Sequence, residues 1–273
     1  MIYLEHRAHP ALAPFIKMLW YARDPDAAHR HERVLPTGNS QIVISLARDY
    51  LTDANNVADP LLHSPASILL GIYSRHQQID AIDLAELIGI VFKPGGTLPF
   101  FRENARLFAN CETALEDIWG NDAEFLRDQL RESATPKQKF ALLEDELLRR
   151  LHRSQKPHLN PVAKFVLDQL CSNPCTTTIT RVNHQTGFSS RHISQLFCQQ
   201  IGVSPKLYCR ILRFQQAVQQ MHCGADIRWA ELALACGYYD QSHFSNDFHA
   251  FSGLSPTAYI ARPRRWSNHI PLD

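Results

Sequence analysis

At 273 residues, with 45% hydrophobic and 20% charged residues, the chain is long enough for two cores and has the composition of an ordinary soluble globular protein. Every apolar stretch is broken by charge or proline, which argues against a membrane span. Met1–Arg7 has neither the basic start nor the apolar run of a secretory signal, so a cytoplasmic location is expected. The net charge of +1 hides an asymmetry: residues 1–155 hold 17 Lys+Arg against 21 Asp+Glu, net −4, whereas residues 156–273 hold 11 against 6, net +5. A basic carboxy-terminal segment suits a polyanionic partner.

In chain order, the first chemical constellation is His29-Arg30-His31-Glu32. Alternate histidines on a strand face one way and can share a metal, which makes a metal-dependent small-barrel enzyme or a metal sensor the alternative reading. Third and fourth ligands are not legible at any sensible spacing, so no metal, cofactor or catalytic residue is assigned and the chain is not expected to be an enzyme. Three β-rich runs follow: Gln41–Leu46, Ser67–Tyr73 and Leu87–Phe92. Such spacing predicts a small sandwich or barrel, and Pro94-Gly95-Gly96 ends the last strand without the spacing or lysine of a phosphate loop. From Leu115 to Leu151 apolar residues recur at helical spacing through Phe125, Leu126, Leu130, Phe140, Leu143, Leu147 and Leu151. Pro136 divides this stretch into a helical hairpin whose apolar stripes pack on the β-region or on a second subunit. The polar stretch Arg153–His158 reads as a linker between a domain over 1–155 and another over 156–273. The seven cysteines are odd in number and irregularly spaced. They read as reduced and mostly buried; Cys171 and Cys175 lack a second pair at zinc-ligand spacing.

Asn160-Pro161 caps and opens a helix over about 161–171. Two similar stretches follow, "ITRVNHQTGFSSRHISQLF" from Ile179 and "WAELALACGYYDQSHFSNDF" from Trp229. Each has a short helix, a turn glycine (Gly187, Gly237), an aromatic expected to pack into the core (Phe188, Tyr238) and a capping residue (Ser189, Asp240) that opens a second helix. Two helix-turn-helix units are thus expected, at about 178–199 and 228–251, joined by a helix over about 204–221. In the first unit Ile193, Leu196 and Phe197 turn inward and Arg191, Ser194 and Gln195 outward, beside Cys198. In the second, Phe244, Phe248 and Phe251 turn inward and leave Ser242, Ser245, Asn246 and His249 outside, with Gln241 in the first turn. Arginine forks onto guanine and glutamine or asparagine onto adenine, so these faces suit base edges in the major groove. The connecting helix spans about 27 Å, enough to hold two reading helices roughly one DNA turn apart. Lys206, Arg210, Arg213, His249, Arg262, Arg264 and Arg265 are the candidates for phosphate contact.

Residues 160–262 resemble the AraC family DNA-binding domain. The resemblance is carried by Ala230, Gly237, Gln241, Ser242, His243, Phe244, Ser245, Phe248, Phe251, Gly253, Ser255 and Pro256, and in the first motif by Gly187, Ser189, Arg191, Ser194, Phe197, Gly202, Ser204 and Pro205. It implies base or phosphate contacts by Arg191, Ser194, Gln195, Gln241, Ser242, Ser245 and Asn246. Asn183 and Thr186 depart from the small and aliphatic residues of that pattern; a buried unpartnered polar group there costs about 1 to 3 kcal/mol. The stretch "GIVFKPGGTLPFF" and the helices after it resemble the sensor domain of a subset of these regulators. The expectation is therefore an α+β chain: a β-rich amino-terminal domain with a helical hairpin, then an all-α domain of about seven helices. The resemblance implies a transcriptional activator whose partners are double-stranded DNA, RNA polymerase, a small-molecule effector on the amino-terminal domain and a second copy of the chain. A protein-interaction module with vestigial helix-turn-helix units is the remaining alternative.

Overall fold

The computed structural model describes residues 2–25, 31–52, 63–155, 158–177, 179–222, 227–262 and 266–272. His29, Arg30, Cys223, Arg264 and Arg265 fall outside these ranges. Among the described residues the amino-terminal half contains β1 (Ile2–His6), β2 (Ile16–Arg23), β3 (His31–Val34), β4 (Gln41–Ser45), β5 (Tyr50–Thr52), β6 (His63–Pro65), β7 (Ser67–Leu70), β8 (Gln77–Asp80), β9 (Leu87–Phe92) and β10 (Glu112–Ala114). Six of them form one antiparallel sheet in the order β1-β2-β9-β4-β7-β10, and β5 pairs with β6. The apolar run of β9 does not alternate because both of its faces are covered: Ile88, Ile90 and Phe92 join one buried cluster and Leu87 another. Residue 89 is glycine because Trp20 lies across it from β2; a Cβ there would approach the indole to 2.3 Å.

Three helices close one face of this sheet: α1 (Leu115–Trp119), α2 (Asn121–Glu132) and α3 (Pro136–Arg153). Pro136 opens α3, the Thr135 hydroxyl accepts the Gln138 N–H at 3.3 Å, and the Gln138 side chain accepts the Thr135 N–H at 3.1 Å. Leu126, Leu130, Phe140, Leu143 and Leu147 pack in one cluster with the sheet residues Ile42, Ile44, Ile88 and Ile90, so the stripe rests on the chain's own β-region. Phe125, expected in that stripe, is 65% exposed. Ala123, Leu126 and Leu130 define the buried face of α2, and Phe125 is turned about 100° away from Leu126.

The carboxy-terminal half contains α4 (Pro161–Ser172), α5 (Ile179–Thr186), α6 (Ser190–Ile201), α7 (Pro205–Met221), α8 (Trp229–Ala235), α9 (Gln241–Ser252) and α10 (Pro256–Ala261), then a last strand, β11 (His269–Pro271). The same device follows α6 and α9: a glycine in the left-handed region, then Ser-Pro starting the next helix. The Ser204 hydroxyl accepts the Leu207 N–H at 3.2 Å and the Ser255 hydroxyl accepts the Ala258 N–H at 3.1 Å. Phe214 of α7 meets Phe248 and Phe251 of α9 at ring centroids of 5.1 and 5.0 Å, which anchors α9 to the connecting helix.

The two halves share a core. Leu35 and Ile72 belong to the buried cluster that holds Phe214, Phe248 and Tyr259. β11 returns to the amino-terminal half and pairs antiparallel with β3, with Ile270 fully buried; β3 also pairs with β8. The carboxamide of Gln215 on α7 donates to the Pro36 carbonyl at 2.8 Å. Both helix-turn-helix units are touched at the carboxy-terminal ends of their second helices. At α9, the His76 N–H donates to the Phe251 carbonyl at 2.7 Å and the Arg33 guanidinium to the Ser252 carbonyl at 3.0 Å. At α6, the 3-10 turn Ala105–Phe108 packs against the helix where Gly202 meets the Ala105 carbonyl. Among the described residues no helix is long and apolar enough to cross a membrane.

Candidate nucleic-acid interface

Each unit is a short helix, a glycine at positive φ (Gly187 at 71°, Gly237 at 75°) and a longer capped helix. The Ser189 hydroxyl accepts the His192 N–H at 3.3 Å, and the Asp240 carboxylate accepts the His243 N–H at 2.7 Å. Inward, α6 buries Ile193 and Phe197, whereas Leu196 is half-buried; α9 buries Phe244, Phe248 and Phe251. Of the two corner aromatics expected in the core, only Tyr238 enters it. Tyr238 is 4% exposed and meets Phe244 edge-on at 5.3 Å, but Phe188 is 48% exposed and lies on His192 at 5.1 Å. The reason is the turn itself. Among the described residues nothing lies within 4 Å of a Cβ built on Gly187, so that corner projects away from the core, while one built on Gly237 would stand 2.3 Å from the Cys175 carbonyl oxygen.

The outward faces are open. Arg191 and Gln195 are exposed and Ser194 is half-buried; Gln241, Ser242 and Asn246 are exposed and Ser245 is half-buried. None carries a negative charge. α7, which joins the two units, has 17 residues and spans about 26 Å. On one side of α6 the residues Arg191, Ser194, Gln195 and Cys198 line a cleft of about 750 Å³ whose opposite wall is Asn104, Arg106, Ala109 and Asn110 of the amino-terminal half.

The basic residues of this region have different tasks. Arg210 reaches Asp247 of α9 through Nε at 3.0 Å and a second guanidinium nitrogen, and lies 5.1 Å from the Phe251 ring centroid. Arg213 donates to the Pro174 carbonyl at 2.8 Å and to the Gly237 carbonyl at 3.2 Å, tying two turns together. Arg262 donates to the Pro271 carbonyl at 3.0 Å. Lys206 and His249 are exposed.

Glu32, part of the candidate metal constellation, is buried and accepts from or pairs with His269 Nδ1 at 2.8 Å, and among the described residues no cluster of three or more His, Cys, Asp or Glu can hold a metal ion. Cys175 donates to the Gln216 side chain at 2.9 Å and Cys209 to the Pro174 carbonyl at 3.3 Å. Burial raises both thiols and pushes that of Cys236 up to about 12, which keeps it protonated at neutral pH. Sequence reasoning passed over Arg106 because it stands in the acidic half, in a segment with no motif. Only the packing of its turn against α6 brings it beside the reading residues.

A helix-turn-helix domain model matches residues 183–262. The carboxy-terminal domain is an AraC-type helix-turn-helix domain. Residues 4–113, ahead of this AraC-type domain, match a domain of unknown function, DUF6597. The chain is 25% identical over 158 residues to an uncharacterized HTH-type transcriptional regulator, YbfI, of Bacillus subtilis, covering 54% of this chain and 53% of that protein. It is 35% identical over 78 residues to the HTH-type transcriptional activator RhaR of Pectobacterium carotovorum, covering 29% and 27%. The match thus spans about half the length of the first relative and about a quarter of the second. Among solved structures, ToxT of Vibrio cholerae is 11% identical with 95% of this chain and 96% of that one covered, at a TM-score of 0.43. An AraC-type regulator of Chromobacterium violaceum is 24% identical over 38% of this chain and 96% of that one, at a TM-score of 0.33.

Proposed function

We propose that the chain is a sequence-specific transcriptional regulator whose α6 and α9 enter successive major grooves from one side of the duplex. The observation that carries this reading is the pair of exposed, carboxylate-free faces, Arg191-Ser194-Gln195 and Gln241-Ser242-Ser245-Asn246, each on a capped helix fastened to the same 17-residue strut. A fixed strut sets the spacing of the two readers before DNA arrives, so little ordering entropy is lost on binding. Lys206, His249 and the carboxy-terminal arginines supply phosphate contacts in this reading, and Arg210 and Arg213 contribute through the bracing of α7. The protein acts in the cytoplasm, where the DNA is, as an activator working beside RNA polymerase. A small-molecule effector on the amino-terminal domain and self-association belong to the same reading. Support for activation is the likeness to relatives named as activators.

Gel-shift titration of the chain on its own upstream DNA tests the assignment of the readers. Arg191→Ala and Gln241→Ala are each expected to cost about 1 to 3 kcal/mol on the specific duplex, roughly 5- to 150-fold, with a much smaller change on random DNA. Unchanged discrimination between the two duplexes would overturn the roles given to these residues.

A further inference from the structure

We infer that the amino-terminal domain is itself part of the DNA-binding surface, with Arg102, Arg106 and Arg153 contacting the phosphates that flank the groove entered by α6. This rests on the reading of α6 as a recognition helix. The cleft beside α6 has Arg106 on its far wall and no carboxylate in its lining. It continues into a larger groove of about 1100 Å³ that shares Asn104 and Gln199 with it and adds Arg102 and Arg153. Arg149 and Arg150 also line this groove, but Asp122 holds them at 2.8 and 3.0 Å and Glu146 engages both, so they are already neutralised. Arg102 and Arg106 are exposed and make no ion pair among the described residues; Arg153 is exposed at the end of α3. Glu103 is the one lining carboxylate not engaged by an arginine among the described residues. Within a half that carries net −4, Arg102, Arg106 and Arg153 thus stand together on the face adjoining the first reader.

Geometry selects phosphate over base as the target. The major groove is about 12 Å wide and a helix with its side chains about 10 to 12 Å across, so α6 fills it from wall to wall. Groups packed alongside the carboxy-terminal half of α6 then face the sugar-phosphate wall. The turn that carries Arg106 is held there by the close approach of Gly202 to the Ala105 carbonyl, with a Cβ position only 3.2 Å from that oxygen. The pairing of β11 with β3 further fastens the two halves together.

The test uses the full chain and a duplex from its own upstream region, with binding measured from 50 to 200 mM salt. Each lost phosphate contact lowers the slope of log affinity against log salt by about 0.9. Replacing Arg102 and Arg106 by alanine is therefore expected to flatten the slope by about 2, so that wild type loses roughly 12-fold more affinity across this range than the variant. Specific and random duplexes weaken alike, R102K/R106K restores the slope, and adding Arg153→Ala removes a further increment. An unchanged slope in a chain that still binds, and still responds to Gln241→Ala, overturns this inference alone. Tighter binding by the alanine variant also overturns it, because the domain would then be an obstacle. A wild-type chain whose binding ignores salt removes the DNA-binding reading together with this one.

Discussion

The two helix-turn-helix units have the same plan and are held by different means. The second is locked from inside its own domain: Gly237 presses on the Cys175 carbonyl, Tyr238 is buried, Arg213 clasps the Pro174 and Gly237 carbonyls, and Arg210 ties α7 to Asp247. The first has an open corner, with no described residue close to Gly187 and with Phe188 at the surface; the amino-terminal domain abuts the second helix of both units, at Gly202 after α6 and through His76 and Arg33 at α9. Duplication of a motif therefore does not duplicate its supports. Both readers rest on one shared core, through Ile193 and Phe197 of α6 and Phe244, Phe248 and Phe251 of α9, and among the described residues only the second has its turn clasped by an arginine.

Truncating the corner aromatics is the largest expected break in this comparison. Tyr238→Ala should destabilise by about 3 to 5 kcal/mol and Phe188→Ala by less than about 1 kcal/mol, read from urea unfolding. Tyr238→Phe separates shape from hydroxyl: its oxygen is buried with no partner among the described residues, so removing it should cost little or stabilise slightly. The turn glycines come next. Gly187→Ala carries only the left-handed backbone penalty, about 1 to 2 kcal/mol, whereas Gly237→Ala adds a steric conflict with a backbone oxygen and should cost at least about 3 kcal/mol. Equal losses at the two positions would dissolve the proposed difference between the units.

The smallest effect concerns the docking of α9. Burial lowers the pKa of His76, as do the nearby charges of Arg33, Arg75 and His249, against an opposing contribution from the Phe251 backbone. A histidine whose folded pKa is depressed stabilises the docked state fully above its ordinary value near 6.5, and that stabilisation is lost as pH falls below it. Melting temperatures at pH 7.5 and 5.5 should therefore differ more for wild type than for His76→Gln. A parallel decline in both proteins excludes His76 as the sensitive group.

Much of the carboxy-terminal domain was legible because its instructions are local. Ser189, Asp240, Ser204-Pro205 and Ser255-Pro256 act within one helical turn, and the phenylalanine stripe of α9 declares its buried face by period alone. The three apolar runs that became β4, β7 and β9 were readable for the same reason. Short strands such as β3, β8 and β11 were not, since three or four residues of mixed polarity carry little periodicity. Arg210 and Arg213 looked like free cations because their partners, Asp247, Pro174 and Gly237, lie 24 to 39 positions away.

By itself the sequence determined where helices start and stop, which faces of α6 and α9 are polar, and that the motif occurs twice. Tertiary structure alone decided that β11 crosses back to β3, that Phe188 stays outside while Tyr238 goes in, and that Arg106 stands beside Arg191. Caps and periodicities act over a few residues of one chain segment, whereas these outcomes depend on which distant surfaces meet when the two halves share a core.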